Sequence, residues 1–388
     1  MKKVTWVTLI VALILGGIGV YQRLSLGHGV AAYSSSIPWG LWVSVYIFFI
    51  GLSAGAFLFS TLVYVFQIKE IEPLGRLSLL TALATLIAAL ITIWLDLGHM
   101  ERFWRVFVSP NFRSAMAWMV WLYTAYFLLL LLELWGALRT DGVGNTLMLK
   151  ILGVIGIPLA IAFHGGVGTL FAVVEAKPYW NTPLFPLLFL VSALSSGSAF
   201  LTLVTCLLWP DKSSEEFKAA IKFLSKAVVG LLALDLLFEL AEVMVGTYST
   251  SPEHFLPYKF ILAGQNWWIF WVVHLLFGAL IPIVLLTLPK ASVNSITWAT
   301  FLISLGFLAV RYNIVIPGLI VPPLPGLPSA YMEARLQYSY TPTLNEWLVT
   351  LFTLALASAI LLLGQQYLPI TRPLISSRKE STPGSFSS

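Results

Sequence analysis

Charge is the scarcest resource in this chain. Its 388 residues include only 22 Lys and Arg and 17 Asp and Glu, a tenth of the total. A soluble domain carries roughly 25% charged residues. A water-facing surface cannot be built from so few, which excludes a soluble globular enzyme. Cysteine is almost absent. Cys206 stands alone, so neither an internal disulfide nor a self-contained iron–sulfur cluster, which takes about four thiolates, can form within the chain. Five histidines, at 28, 99, 164, 254 and 274, limit haem to one or two. No P-loop, HExxH or other metal-ligand cluster is present.

What the sequence has instead is long apolar runs. A membrane-crossing helix needs about 20 mostly apolar residues. Ten runs qualify, at roughly 4–21, 39–67, 76–98, 114–138, 149–174, 184–209, 222–246, 266–288, 296–317 and 345–368. The fold class is therefore all-α, a polytopic membrane protein of about ten transmembrane helices, with residues 1–370 as one integral membrane domain. The first run follows Lys2 and Lys3 but lacks a small-residue cleavage site, and reads as a retained anchor rather than a signal peptide. The 371–388 tail is rich in Ser, Pro and charge and reads as disordered.

Basic residues set the orientation. Fourteen occupy the N-terminus and alternate connections, among them Lys69, Arg76, Arg139, Lys150, Lys212 and Lys290; seven, Arg23, Arg102, Arg105, Arg113, Lys177, Lys259 and Arg335, occupy the others. The excess places both termini in the cytoplasm of a cell whose cytoplasmic (inner) membrane holds the protein.

The spans repeat. Gly51-Leu-Ser-Ala-Gly-Ala-Phe57 is echoed by Ala193-Leu-Ser-Ser-Gly-Ser-Ala-Phe200, and Trp94-Leu-Asp-Leu97 by Leu237-Phe-Glu-Leu240. Ala117-Trp-Met-Val-Trp121 is echoed by Trp267-Trp-Ile-Phe-Trp271, and Leu159 to His164 aligns with Leu308 to Asn313. Spans two to five (about 39–174) and six to nine (about 184–317) therefore read as two four-helix bundles in parallel repeat, flanked by spans one and ten.

Ionisable residues inside a membrane are costly and point to function or pairing. On this topology Asp96, His164, Glu239, Glu242, Arg311 and the deeper Asp235 lie in the outer half, with His274 near the middle of span eight. His99, Arg102 and Arg105 lie at the outer interface. Trp42, Tyr46, Trp94, Trp118, Trp121, Tyr123, Trp268 and Trp271 surround this layer. Aromatics also crowd membrane interfaces for ordinary reasons, and Asp96 with Arg102 or Arg105, or Glu239 or Glu242 with Arg311, would serve equally as structural ion pairs. A lipid-soluble redox carrier needs an apolar slot, donors for its carbonyls and a group that exchanges protons. His164 can donate and Asp96 can exchange protons. A quinone site fits this inventory, and so does the central polar site of a secondary transporter. His164 and His274 fall at unmatched positions in the two units and have no companion pair, which argues against haem.

At these residues the chain resembles the NrfD/PsrC family of quinone-interacting integral membrane subunits. The resemblance is carried by Trp39-Gly-Leu-Trp42 with the Gly51 motif, Asp96-Leu-Gly98 with Arg102-Phe-Trp-Arg105, His164-Gly-Gly-Val-Gly-Thr-Leu170, Pro183 to Leu194, Arg311 to Gly318, and Glu346-Trp347. The His164 segment looks most like the membrane subunit of hydrogenase-2. The stretch from 311 to 347 looks like that of the Dsr sulfite-reduction-associated complex. The resemblance implies a subunit without a redox centre of its own, binding menaquinone or ubiquinone near the outer face. It also implies a peripheral Fe–S electron-transfer subunit, linked to a catalytic subunit such as a hydrogenase, a molybdenum enzyme or a sulfur-metabolism enzyme. Some relatives are proposed to move protons. Where the polysulfide-reductase branch has Asn and His at the quinone, this chain has Val43 and Tyr46. The expected quinone-binding set is Tyr46, Asp96, Trp118 and His164. Asp235, Glu239, Glu242, His274 and Arg311 are a proton relay or ion-pair network, and Arg102 and Arg105 face the partner. No metal, nucleic acid, haem or Fe–S ligand set is expected on this chain; its surroundings are membrane lipid.

Overall fold

The structure is a computed structural model that describes residues 2–139, 146–289, 291–322, 324, 326–330 and 333–371. Apart from Thr371, the tail expected to be disordered lies outside them. All regular structure among the described residues is helical. The long helices are α1 (Lys2–Leu26), α2 (Leu41–Tyr64), α3 (Gly75–Asp96), α4 (Ala115–Arg139), α5 (Thr146–Ala172), α6 (Phe185–Leu208) and α7 (Glu215–Thr247). They continue with α8 (Pro252–Ala263), α9 (Ile269–Thr287), α10 (Val293–Ile320) and α11 (Leu344–Tyr367). In α9 the stretch Ile269–Leu280 has π-helical hydrogen bonding and Ile281–Thr287 is α-helical.

Among the described residues, nine helices are long and apolar enough to cross a membrane. The tenth expected span falls inside α7, which is not one of the nine. Asp235, Glu239 and Glu242 interrupt its apolar stretch. With 33 residues it is still about 50 Å long at 1.5 Å per residue, well beyond a hydrocarbon core of about 30 Å. Its start is locally encoded: Ser214 accepts from the Phe217 amide, and Glu215 and Glu216 occupy the first turn, where the helix dipole favours negative charge.

The central helix is α2, nearly all of whose residues are buried. It packs with α3, α4 and α5 in one group of four, while α6, α7, α9 and α10 form a second. The groups meet where α2 lies on α6 and α10, and α5 on α6. At the α2–α6 crossing Gly55 and Gly197 face one another so closely that a methyl group on either would overlap the other's backbone. Small residues permit such contacts where lipid gives no hydrophobic drive for helix association. Helix α1 packs on α11, which also lies on α3.

The connections 27–40, 97–114, 173–184, 248–268 and 321–343 gather at one end of the bundle, here the loop-rich end. The last of these starts later than expected, because α10 runs through Pro317 to Ile320. Its C-terminal part folds back over the 32–41 segment: the Ser35 amide donates to the Arg335 carbonyl at 2.8 Å and the Ser34 hydroxyl to the Gln337 carbonyl at 2.9 Å.

Candidate functional site

At the loop-rich end α3 stops at Asp96, and two segments from elsewhere close over its last turn. The fully buried Arg23 of α1 donates through Nε to the Leu95 carbonyl and through Nη2 to the Leu97 carbonyl, both at 2.8 Å. It thereby satisfies backbone acceptors that a helix C-terminus leaves open. The Tyr33 hydroxyl donates to Asp96 Oδ1 at 2.6 Å, and His28 Nε2 lies 2.6 Å from the Asp96 carbonyl oxygen. Burial, reinforced by the Asp96 charge, raises the Tyr33 hydroxyl well above the ordinary tyrosine pKa, so it stays a donor. Trp42 packs edge-on to Tyr33 and hydrogen bonds through Nε1 to the Glu346 carbonyl at 3.2 Å.

Glu346 is the second carboxyl at this end and is entirely buried. It accepts from the Ala32 amide at 3.1 Å, from the Thr343 amide at 2.9 Å and from the Tyr340 hydroxyl. Thr343 and Glu346 also form the capping box that starts α11. These bonds satisfy Glu346 and tie α11 to the 27–40 segment. Asp96 has only the Tyr33 hydroxyl, and no ion pair among the described residues includes it.

A line of aromatic contacts leads inward. One turn along α2 from Trp42, the buried Tyr46 shares a hydrogen bond with the Tyr123 hydroxyl. The Tyr123 ring meets Phe163 at 5.1 Å between centroids, and Phe163 adjoins His164. His164 is fully buried. The Phe189 backbone lies beside its ring, but neither ring nitrogen completes a well-formed hydrogen bond. Arg311 of α10 is within electrostatic reach. Its guanidinium stacks 4.9 Å from the Phe189 ring centre, reaches toward Gly51 of α2, and has both Nη atoms without hydrogen-bond partners. Asp235 acts on its charge from α7.

The second helix group holds a small, partly open cavity of about 60 Å³. Phe185, Leu188, Phe270, Val310 and Ile314 form apolar walls, and Asp235, Glu239, Glu242, Tyr179, Tyr258 and Asn313 supply the polar lining. Glu242 is satisfied on both oxygens, by the Thr182 hydroxyl at 2.9 Å and the Tyr258 hydroxyl at 3.1 Å. Glu239 lies 3.3 Å from His274 Nδ1. The buried Asn313 Nδ2 has no hydrogen-bond partner among the described residues.

The expected quinone-binding residues are therefore dispersed. Tyr46 and His164 lie along one line of contacts and Asp96 lies at its start, at the loop-rich end near Trp42. Trp118 does not join them: it is half exposed on the outward face of α4, its indole bonded to the Phe112 carbonyl at 2.8 Å. Trp94, Trp121, Trp268 and Trp271 are exposed likewise, whereas Trp42 and Tyr123 are interior. Of the expected network, Asp235, Glu239 and Glu242 share the cavity, with Arg311 and His274 behind them. The structural ion pairs considered for these residues are not formed among the described residues. Arg102 pairs with Glu101 at 3.4 Å instead of Asp96, and Glu239 meets His274 instead of Arg311. Sequence reading missed Arg23, His28, Tyr33 and Tyr340. The Thr343–Glu346 capping spacing was a readable sign of the latch at α11.

Comparison with known proteins gives a consistent set of likenesses. The family described as polysulphide reductase, NrfD, matches residues 29–323. A selenate reductase subunit from Mesobacillus selenatarsenatis is 36% identical over 95% of this chain and 95% of its own. The Hdr-like menaquinol oxidoreductase integral membrane subunit of Archaeoglobus fulgidus is 28% identical over 87% of this chain and 86% of its own. The menaquinone reductase integral membrane subunit of Nitratidesulfovibrio vulgaris is 24% identical over 90% and 87%.

Proposed function

The chain belongs to the NrfD polysulphide reductase family, and from that premise we propose that it is the quinone-reactive membrane subunit of a respiratory oxidoreductase complex. It exchanges electrons between menaquinone or ubiquinone and a peripheral Fe–S subunit, which serves a separate catalytic subunit. Two relatives named for menaquinol or menaquinone chemistry support the ligand class. The names of the relatives also support assembly with reductase subunits. The loop-rich end is the outer face of the cytoplasmic membrane, and the exposed Arg102 and Arg105 face the partner there.

The observation that carries the reading is the Asp96 carboxyl. It is buried at a helix end, held by one hydroxyl, with no cation at ion-pair distance among the described residues, the Arg23 charge acting on it from further away. Such a group can exchange protons with a bound reactant. The fit to a quinone rests on the interior line beyond it: Tyr46 and Tyr123 hydroxyls, then a His164 ring whose nitrogens lack well-formed hydrogen bonds. Leaving a buried polar group unsatisfied costs about 1–3 kcal/mol, which a carbonyl-bearing ligand offsets. When bound, a quinone supplies the two-electron chemistry. Asp96 holds or moves the proton, Tyr33 orients Asp96, and His164 and Tyr46 hold the head group. The Asp235, Glu239, Glu242, His274 and Arg311 network serves proton movement across the second bundle.

Asp96→Asn and His164→Ala are expected to abolish quinone-linked electron transfer while the complex still assembles. Wild-type turnover in both would reject this site. The cavity in the second bundle also suits a secondary transporter. That reading prevails if the purified chain brings no quinone or Fe–S partner with it and moves a solute in liposomes.

A further inference from the structure

The two sequence repeats align Asp96 with Glu239 and His164 with Asn313. In the first unit these are the residues assigned above to proton exchange and to head-group binding. In the second unit both counterparts line one cavity. The cavity is partly open, and its present free space is about 60 Å³, so a ring enters only with side-chain displacement. We infer that this cavity is a second binding site for a quinone-class head group, contacted by Glu239 and Asn313. The inference rests on the reading of the first unit as a quinone site.

The polar groups of the cavity are unequally committed. Glu242 is held by Thr182 and Tyr258. The Tyr179 hydroxyl donates to the Asn313 backbone carbonyl at 2.9 Å, so it does not occupy the side-chain amide. Asn313 Nδ2 is left as a buried donor without a partner among the described residues. Glu239 meets His274 Nδ1 at 3.3 Å without hydrogen-bond geometry, and so keeps acceptor capacity. One free donor and one free acceptor, between the apolar walls of Phe185, Leu188 and Phe270, match a flat neutral ring. Such a ring accepts at one oxygen and, in its reduced form, donates from the other. Three carboxylates disfavour an anion, and the apolar walls disfavour a hydrated metal ion.

The test is binding stoichiometry. The quinone-site probe 2-heptyl-4-hydroxyquinoline N-oxide, whose fluorescence is quenched on binding, is titrated into the full-length chain in the assembly with which it purifies. Two sites per chain are expected. Glu239→Gln with Asn313→Leu should reduce two to one. Leu188→Trp, which adds bulk at an apolar wall of the cavity, should do the same. Gel filtration confirms that each variant remains monodisperse. One site in the wild type, lost in Asp96→Asn and unaffected by Leu188→Trp, overturns the second site and leaves the first. A single site that survives Asp96→Asn and disappears in Leu188→Trp supports the cavity and overturns Asp96 as the site. Two sites that both survive Leu188→Trp overturn the inference, and no binding at all overturns both readings.

Discussion

The Tyr33 hydroxyl and the Asp96 carboxyl, 63 positions apart in the chain, meet at 2.6 Å. This bond decides what Asp96 can do. Asp96 has a single hydrogen-bond donor and no cation within ion-pair distance among the described residues, so one tunable contact, together with the more distant Arg23 charge, governs its proton exchange. Loss of that contact in Tyr33→Phe should slow quinol-linked turnover about tenfold, the scale of one hydrogen bond to a charged group. Loss of the acid in Asp96→Asn should slow it by about 10²-fold or more. Burial and the Asp96 charge both raise the Tyr33 pKa. A raised tyrosine pKa keeps the proton on as pH rises, so the wild-type rate profile should show no alkaline limb from Tyr33 below about pH 10, the ordinary tyrosine value. Steady-state rates with a soluble quinol from pH 6 to 10 check all three. A Tyr33→Phe variant as fast as wild type removes Tyr33 from the site.

Arg23 is expected to matter for stability more than for chemistry. Its guanidinium is buried under Trp42, and two of its nitrogens satisfy carbonyls at the end of α3. Arg23→Met keeps the apolar stem and strands both carbonyls. The cost should be about 3 kcal/mol, near the upper value for one charge-assisted hydrogen bond. Thermal unfolding in detergent measures it, and an unchanged midpoint would show that water replaces the guanidinium.

Sequence legibility followed the membrane. Hydropathy located nearly every long helix, because apolar length is what a bilayer selects. It was less informative on α7, where Asp235, Glu239 and Glu242 dilute the apolar signal that their burial in a bundle makes tolerable. The Asp96 surroundings were illegible for a different reason. Arg23 looks like a loop charge that helps set orientation, yet its side chain is fully buried. Tyr33 lies between apolar runs and reaches Asp96 across 63 positions, while Glu346, at the start of the last run, meets the 27–40 segment only through chain return across about 300 residues. Trp118 and Tyr123 share one helix, and hydropathy gave no sign that Tyr123 points inward while Trp118 points out.

The crossing of Gly55 and Gly197 gives a packing prediction. A Cβ on either residue would run into backbone of the other, which cannot rotate away as a side chain could. Gly55→Ala and Gly197→Ala should each cost about 1–3 kcal/mol, the usual range for overpacking. Gly230→Ala provides the control, because nothing lies within 4 Å of the added methyl. That substitution should be neutral or slightly stabilising, since Ala is the better helix former. Melting midpoints in one detergent compare the three, and equal midpoints would mean the two bundles separate without cost.

Arg311 and Asp235 should prove coupled. Arg311 lies between the two helix groups, with His164 and Gly51 on one side and the charge of Asp235 acting from the other. Its terminal nitrogens have no hydrogen-bond partners, so its burial depends on nearby opposite charge. Arg311→Met leaves Asp235 without that cation, and Asp235→Asn leaves Arg311 without its anion. The two are not at ion-pair distance among the described residues, so each single variant should cost less than the roughly 3–5 kcal/mol of breaking a buried contact pair, whereas replacing both members by neutral groups is often tolerated. The double variant should therefore be more stable than the sum of the singles predicts, by about 2 kcal/mol, within the range seen for residues that share a network. Unfolding midpoints of the four proteins give the coupling directly. Additivity within about 0.5 kcal/mol would mean the two charges act independently, and Arg311 would then carry no electrostatic link from the cavity carboxylates to His164.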